Sequence, residues 1–332
     1  MATTDNNTVA AEVDVDDDHD SGIEDYDNQS TTSTSLKSSM EAYTYENGRR
    51  YHAFRAGEYP LPNDEIEQDR MDLLHHIWRL ILDGALLLSA SQIDSPQRIL
   101  DVGTGTGIWA IDIADEYPSA QVIATDLSPI QPAWVPPNCH FYVDDAESEW
   151  VFEPLDLIHG RSLGGSISDW PRFYRQCFRC LKPGGHLEMQ EHDAWVSALE
   201  EEPPWTNHWN VTLNEASARF GKYLNVAGEG RHVDWIREAG FMDVEDKVFQ
   251  VPVGSWAKGR KEIGVYNLAQ MRDAVEPYTL ALYTKVLGKS VDETRVVIEH
   301  VKREFSRKRN HLYVNYHFLT AKKPIAPSST NA

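Results

Sequence analysis

Short apolar runs alternate with helically spaced stretches along most of the chain, after a polar beginning. Five runs have the length and composition of buried parallel strands, namely residues 98–102, 121–124, 139–143, 155–159 and 186–190. Helical spacing lies among them at residues 108–114 and 170–181. Because strands that alternate with helices form parallel sheets, the pattern predicts an α/β fold.

The regions on both sides of this pattern are mainly helical. Residues 64–89 are predicted to form one helix that begins at Asn63 as its N-cap and carries an apolar stripe of Leu73, Ile77, Leu80, Ile81 and Leu88. Further helices are predicted over residues 205–220, 230–239, 258–288 and 292–309. Two long strands complete the pattern, at residues 241–251 and 311–321.

Residues 98–107 carry the most specific chemical signal, an apolar strand that runs directly into three alternating glycines. Gly103, Gly105 and Gly107 remove every Cβ from one side of the turn, which permits unusual dihedral angles and close approach of a ligand. A helix-compatible run follows, so the turn presents free backbone amides to an anionic or polar group. The alternative is a plain tight turn between a strand and a helix.

The spacing of these glycines excludes two nucleotide-binding motifs. A dinucleotide fingerprint requires its third glycine, or an alanine, at the position that Ile108 occupies. A phosphate-binding P-loop requires a following Gly-Lys-Ser/Thr, which this segment lacks. Gly-x-Gly-x-Gly with Asp101 two residues before the first glycine instead resembles the first motif of the S-adenosylmethionine-dependent methyltransferases.

Acidic residues follow the next two predicted strands. Asp126 lies 19 residues after Gly107, where a carboxylate can accept hydrogen bonds from both hydroxyls of a ribose. The alternative for Asp126 is to cap the next turn. Asp144 and Asp145 follow the third strand, and either carboxylate can accept from the exocyclic amine of adenine. The sequence does not distinguish these two residues.

Several segments in order resemble a class I methyltransferase domain, namely residues 101–107, 124–128, 144–147 and 181–185. Others are similar to the fungal LaeA-like methyltransferases, namely residues 59–64, 107–112, 128–138 and 166–170. The resemblance covers roughly residues 45–322. It implies an α/β, Rossmann-like class I methyltransferase fold, with a seven-stranded, mostly parallel sheet, an antiparallel last strand and helices on both faces. It also implies that S-adenosyl-L-methionine is held by Asp101, Gly103, Thr104, Gly105, Gly107, Asp126, Leu127, Asp144, Asp145 and Ala146.

The resemblance also indicates residues around the methyl acceptor. It places Tyr51 and Tyr59 in a segment that crosses the cofactor, where they form a lid or simply pack the N-terminal extension. Arg161 follows the fourth strand and can hold a carboxylate of cofactor or substrate, or lie on the surface. His192 and Trp195 follow the fifth strand. His192 is either a base for an alcohol or phenol acceptor or part of the pocket wall. No catalytic residue is assigned, because an amine or thiolate needs no base, and no metal site is predicted.

Composition indicates one folded domain between two polar tails. Residues 1–42 are acidic and rich in Ser and Thr, with ten acidic residues against one lysine before residue 41, so we expect them to be disordered. The methyltransferase domain is expected over residues 43–322. Within it we expect a lid and helix, a cofactor-binding core, and substrate-side helices with the last strands, at residues 43–90, 97–192 and 193–322. Residues 323–332 are expected to form a second disordered tail.

Charge and special residues limit the partners and the location. The net charge of −21 opposes direct binding to nucleic acid, because phosphates would be repelled. The basic run at residues 302–309 is a nuclear import signal or the solvated end of a helix. Cys177 and Cys180 form a C-x-x-C without a second ligand pair, so we expect structural burial. No apolar stretch reaches the about 18 residues of a membrane span. Together with reduced cysteines, this predicts a cytoplasmic or nuclear location, or both.

Three functions agree with these observations. The first is a methyltransferase of fungal secondary metabolism that transfers a methyl group to an O, N or S atom of a small molecule. The second is a LaeA-like regulatory methyltransferase that works with protein partners and has a protein as its methyl acceptor. The third is a non-catalytic or weakly catalytic regulatory subunit that keeps the cofactor site as a scaffold. The intact glycines and Asp126 favour an enzyme.

Overall fold

The computed structural model describes residues 43–194 and 196–325 of the 332-residue chain. The expected N-terminal tail, Trp195 and residues 326–332 lie outside the described residues. Its strands are β1 (Thr44–Glu46), β2 (Arg49–Tyr51), β3 (Arg98–Val102), β4 (Gln121–Asp126), β5 (Cys139–Val143), β6 (Leu155–Arg161), β7 (Leu181–His192), β8 (Ser197–Ala198), β9 (Met242–Pro252) and β10 (Leu312–Lys322). Its helices are α1 (Glu65–Ile81), α2 (Ile108–Glu116), α3 (Trp170–Cys180), α4 (Pro204–Phe220), α5 (Arg231–Glu238), α6 (Lys261–Ala281) and α7 (Val291–Phe305). A π-helical turn, Leu282–Val286, continues α6.

The main sheet has the order β5-β4-β3-β6-β7-β10, with β9 on the far side of β10. The first five of these strands are mutually parallel, whereas β10 runs antiparallel to both β7 and β9. The predicted mostly parallel sheet with an antiparallel last strand is therefore confirmed. The sheet has eight strands rather than seven, because the two-residue β8 pairs with the beginning of β10.

The strand register brings the predicted cofactor residues to one edge of the sheet. Val102, the last residue of β3, lies beside Thr125 on β4 and beside Gly160 on β6. The glycine turn therefore begins between the ends of two neighbouring strands, next to Asp126 and Arg161. In open α/β sheets, this carboxyl edge is where ligands bind.

Helices cover both faces of the sheet, as the α/β pattern predicts. Phe318 and Leu319 of β10 are adjacent in sequence and enter two different apolar clusters, because successive side chains of a strand point to opposite faces. The first cluster packs residues of α1, α4, α6 and α7, and the second packs residues of α3 and α5. A third cluster joins Trp109 and Ile113 of α2 to β3 and β4.

Helix α1 differs from its prediction at both ends and in its buried face. Asp64, not Asn63, is the N-cap, and its carboxylate accepts from the N–H of Glu67 at 3.1 Å. The helix ends at Ile81 instead of residue 89. Of the predicted stripe only Ile77 is buried; the buried face also holds Glu67, Arg70, Leu74, His75 and Trp78. The buried face thus contains charged side chains, which an apolar stripe cannot reveal.

Two other predictions of structural roles agree with the fold. Cys177 and Cys180 are buried and free, on the inner face of α3. Within the basic run, Lys302 and Arg303 lie in the last turn of α7, and Arg307, Lys308 and Arg309 are exposed beyond it. No helix among the described residues is both long enough and apolar enough to cross a membrane.

Candidate functional site

The turn after β3 has the backbone conformation that only glycine adopts without strain. Gly103 and Gly105 have φ angles of +65° and +60°, in the left-handed region. A Cβ on Gly103 would lie 2.4 Å from the side chain of Leu163, and a Cβ on Gly105 would lie 3.3 Å from Sδ of Met71. Both glycines line the cleft at this edge of the sheet. The bare turn is therefore one wall of the site.

Gly107 has a different role from its two neighbours. It is the N-cap of α2 with φ at +83°, and it is not part of the cleft wall. A Cβ there would lie 2.5 Å from the ring of Phe141 on β5. Gly107 thus allows α2 to begin close against the sheet, and its contact with the cofactor stays a prediction.

Asp126 links the glycine turn to the end of β4. Its carboxylate accepts from the N–H of Gly105 at 2.9 Å and from the N–H of Ser128 at 2.8 Å. Burial raises the pKa of Asp126 to about 6, and these backbone hydrogen bonds oppose that rise only in part. Asp126 and Leu127 both line the cleft. Asp126, which is predicted to bind the ribose, therefore lies beside the glycine turn.

Asp101 and Thr104 occupy the narrow inner end of the cleft. Asp101 is buried, and its two carboxylate oxygens contact His159 Nδ1 at 2.7 Å and accept from the hydroxyl of Thr104 at 2.5 Å. The imidazole of His159 stacks on Trp109, with ring centroids 3.6 Å apart. This network fixes the floor under the glycine turn, and Asp101, Thr104 and His159 all line the inner end.

The opposite wall of the cleft comes from the loop after β5. Asp144, Asp145 and Ala146 all line it, as predicted. Asp145 is held by an ion pair with Arg55 at 3.0 Å and accepts from the N–H of Glu147 at 2.8 Å. Asp144 accepts from the N–H of Asp145 at 2.8 Å. Both carboxylates are therefore near the cleft, and Asp145 has the more constrained position.

Arg161 lies inside the cleft rather than on the outer surface, so the surface alternative is wrong. It ends β6 and lines both the wide part of the cleft and the narrow inner end beside the glycine turn. Its Nη2 contacts Nδ1 of His75 at 3.0 Å, and burial lowers its pKa to about 10. It therefore stays positively charged at neutral pH and can pair with a carboxylate.

The segment between β2 and α1 lies across the mouth of the cleft. Tyr59 lines the cleft, and Asn63 donates to the hydroxyl of Ser128 at 3.2 Å. Arg55 pairs with Asp145, and Glu58 pairs with Lys222 at 3.2 Å. Tyr51 is instead buried beneath the ammonium of Lys285 and does not line the cleft, so for Tyr51 the packing alternative is correct.

His192 lies in a small side cavity that joins the main cleft. This cavity shares Ser162 and Tyr278 with the cleft and is also lined by Glu191. Burial lowers the pKa of His192, so its imidazole is neutral at pH 7, the form that a general base requires. Burial raises the pKa of Glu191 to about 7, although the carboxylate accepts from the N–H groups of Leu163 and Gly164.

Sequence reasoning missed the contribution of α1 and α6 to the cleft. Glu67, Arg70 and Met71 of α1 and Tyr278 of α6 line it, together with Lys222 after α4. Helix α1 carried a usable signal in the sequence. Glu67, Arg70, Leu74 and Ile77 follow the 3-4-3 spacing of one helix face, so two opposite charges extend an apolar stripe. Tyr278 carried no such signal, because only packing brings α6 to α1.

The site so assembled is a concave cleft that opens to solvent on one side, the usual form of a small-molecule site. Bare glycines, a carboxylate that can accept from a diol, two further carboxylates and a buried cation surround it. This donor and acceptor set fits a nucleoside that carries an amino acid. The fold and the site together are those of a class I methyltransferase.

Comparisons with known proteins agree with this class. The family description "Methyltransferase domain" matches residues 73–245. Methyltransferase pytC of Aspergillus terreus is 41% identical over 304 residues, covering 88% of this chain and 91% of that protein. Secondary metabolism regulator LAE1 of Cochliobolus heterostrophus is 38% identical over 291 residues, covering 84% and 94%. Protein-methionine methyltransferase laeA of Emericella nidulans is 34% identical over 299 residues, covering 88% and 79%.

The chain belongs to the LaeA-like class I methyltransferases. It is an S-adenosyl-L-methionine-dependent methyltransferase, and relatives of this family are named regulators of secondary metabolism. Among solved structures, phosphoethanolamine N-methyltransferase 2 of Haemonchus contortus, in complex with S-adenosyl-L-methionine, matches with a TM-score of 0.46 and 16% identity, over 88% of this chain and 73% of that one.

Proposed function

We propose that the cleft holds S-adenosyl-L-methionine along the glycine turn, with Asp126 at the ribose, Asp144 or Asp145 at the adenine amine and Arg161 at the carboxylate. The supporting observation is the hydrogen bond between Gly105 and Asp126, which fixes the bare turn and the acceptor carboxylate 2.9 Å apart at one edge of the sheet. Arg161 lies beside the same turn, at the inner end of the cleft.

When it is bound, the cofactor supplies an electrophilic methyl group. The residues of this chain then have to hold an acceptor atom in line with that group and exclude water. Such alignment contributes about 7–11 kcal/mol to lowering a barrier. Tyr59, Tyr278 and the segment around Arg55 surround the remaining part of the cleft and perform this task. For an alcohol or phenol acceptor, the neutral imidazole of His192 accepts the proton.

The methyl acceptor is an O, N or S atom of a small molecule or of a protein. The name of one relative, protein-methionine methyltransferase, supports a protein acceptor, and the name methyltransferase pytC specifies no acceptor. The alternative function, a regulatory subunit with little or no catalysis, is supported by relatives named regulators of secondary metabolism. Protein partners, and action in the nucleus as well as the cytoplasm, belong to that alternative. The exposed basic residues after α7 are its candidate import signal.

Two ligands that differ only at the amino acid test the proposed orientation. We expect Arg161→Gln to weaken binding of S-adenosylhomocysteine at least about tenfold, because a charge-assisted hydrogen bond is lost. Binding of methylthioadenosine, which lacks the carboxylate, should stay within about twofold because Arg161 contacts neither ribose nor adenine. We expect Asp126→Ala to weaken both ligands by about 1–3 kcal/mol. Calorimetric titration measures the affinities of wild type and of both variants for both ligands. Equal losses for both ligands in Arg161→Gln would contradict the assignment of the carboxylate.

A further inference from the structure

Arg70 is a buried cation on the cofactor cleft with part of its hydrogen-bonding capacity unused. It lies on α1, is 5% exposed and lines the wide part of the cleft. Its Nε and Nη2 both donate to Oε1 of Glu67, at 3.0 and 2.5 Å. Its Nη1 is buried and has no hydrogen-bond partner among the described residues.

The unused donors, Nη1 and the second N–H of Nη2, lie on one edge of the guanidinium plane. Because Nε and Nη2 serve Glu67, the edge between Nη2 and Nη1 remains available, and an arginine can bind one carboxylate on each edge. A buried N–H without a partner destabilises the folded protein. This cost is recovered when a ligand oxygen binds there, which is typical of a site that is complete only with its ligand.

Arg70 lines the wide part of the cleft together with Tyr59 and Tyr278, where the proposed function leaves space for the acceptor. Arg161 lines the narrow inner end beside the glycine turn, and Arg70 does not. Arg70 lies instead near the ring of Tyr278, with Cζ 5.9 Å from the centroid. Its positive charge also acts on Tyr59 and on His192, the residue of the adjoining side cavity.

We propose that Arg70 recognises a carboxylate, or an equivalent anionic oxygen, on the methyl acceptor. This inference rests on the proposed function, since it assigns to the acceptor the space that the cofactor leaves. Glu67 holds the guanidinium in the orientation that presents its second edge, and Tyr59 and Tyr278 provide aromatic surface for the body of the acceptor.

Benzoate and benzamide are suitable probes, because they have the same shape and differ in charge. We expect the complex of wild-type protein with S-adenosylhomocysteine to bind benzoate at least about tenfold more tightly than benzamide. The double variant Glu67→Gln/Arg70→Gln removes both charges and so leaves no buried unpaired charge. In this variant we expect the preference to fall below about twofold, with cofactor affinity retained. Ligand-observed NMR titration measures the probes, and calorimetry measures S-adenosylhomocysteine.

Two further variants complete the test. Arg219→Gln removes an exposed arginine of α4 that forms an ion pair with Glu215, and it should keep the full preference. Arg70→Lys keeps the charge but loses the two-edged geometry, so its preference for benzoate should lie between those of wild type and the double variant. It provides the test if the double variant does not fold. The proposal is overturned if wild type shows no preference, or if the double variant keeps it. It is also overturned if that variant loses S-adenosylhomocysteine, because Arg70 would then hold the carboxylate of the cofactor. Wild type that fails to bind S-adenosylhomocysteine at all would instead contradict the proposed function.

Discussion

Asp126 shows how one residue can combine a local structural role with a proposed binding role. Its carboxylate accepts two backbone N–H groups, yet burial still raises its pKa to about 6. When the pKa of a carboxyl is raised in this way, its ionised form destabilises the folded protein. Such groups are frequent at functional sites. A ligand that donates hydroxyl groups to the carboxylate offsets this cost.

The raised pKa of Asp126 predicts a pH-dependent affinity for the cofactor. Protonation below about pH 6 removes the negative charge that accepts from the ribose, so we expect S-adenosylhomocysteine to bind about tenfold less tightly at pH 5 than at pH 7. Calorimetric titration across this range measures the change. Asp126→Asn cannot be protonated there, and its weaker affinity should stay nearly constant. A wild-type affinity that does not vary with pH would count against the role of Asp126.

The glycines of the turn predict two different effects from the same substitution. Gly105→Ala should lower cofactor affinity, because the new methyl group enters the cleft beside the flexible side chain of Met71, and its left-handed φ adds strain of about 1–2 kcal/mol. Gly107→Ala should mainly lower the free energy of unfolding, by about 1–3 kcal/mol, because its methyl group meets the ring of Phe141 at a left-handed φ. Urea unfolding and calorimetry on both variants separate the effects. If both variants lost cofactor affinity and unfolding free energy in the same proportion, the different roles of Gly105 and Gly107 would be contradicted.

At the scale of elements, the site is made from strand ends and from one segment that crosses them. The carboxyl ends of β3, β4, β5 and β6 supply the glycine turn, Asp126, the 144–146 loop and Arg161. The segment between β2 and α1 closes this edge through Arg55, Glu58 and Asn63. The hydrogen bond of Asn63 is buried, but the ion pairs of Arg55 and Glu58 are each exposed at one partner, and such pairs contribute little.

Release of the cofactor should therefore depend on this segment. Arg55→Gln removes the ion pair with Asp145 and the hydrogen bond to Ser148, which together contribute about 0.2–1 kcal/mol. We expect dissociation of S-adenosylhomocysteine to become up to about fivefold faster, as measured by stopped-flow tryptophan fluorescence. Arg231→Gln removes a comparable surface pair with Glu229 outside the cleft and should leave the rate unchanged. An unchanged rate in Arg55→Gln would show that the segment does not limit release.

At the scale of the whole molecule, a buried charged group joins the last strands to the end of β7. His317 of β10 contacts Asp193 at 3.1 Å and Asp246 of β9 at 2.9 Å. Burial alone would lower the pKa of His317, but the two carboxylates outweigh it and raise the pKa to about 9. The protonated imidazole therefore holds together residues that are far apart in the sequence.

The raised pKa of His317 predicts how global stability depends on pH. A folded-state pKa above the ordinary value of about 6.5 stabilises the protein fully below pH 6.5, and this contribution is lost as pH rises through about 9. We expect the free energy of unfolding in urea to fall by the order of 1–3 kcal/mol between pH 7 and pH 9. His317→Gln should be less stable at pH 7 and should lose this part of the dependence. His140→Gln, which changes an exposed histidine, should behave like wild type.

Much of the fold followed from patterns within single elements. Strand positions and helix α3 agree with the prediction, because each depends on periodicity over about ten neighbouring residues. The antiparallel last strand was implied by the family resemblance and is also present. Helix α1 was predicted too long and with the wrong buried face. Apolar residues continue to Leu88, but Asp83 and Gly84 interrupt them with left-handed φ angles and end the helix, and Leu86 and Leu87 then pack beside α2.

The sequence by itself determined the order of strands and helices, the bare turn after the first parallel strand and the acid at the end of the next one. These features are local, since a strand, its turn and its carboxyl end are contiguous in the chain and obey short-range steric rules. Only the tertiary structure decided that Gly107 meets Phe141, that Arg161 points into the cleft, and that Arg70 comes to lie beside Tyr278. The physical reason is that these contacts join residues of separate elements, and the packing of whole elements sets such contacts rather than any pattern within one of them.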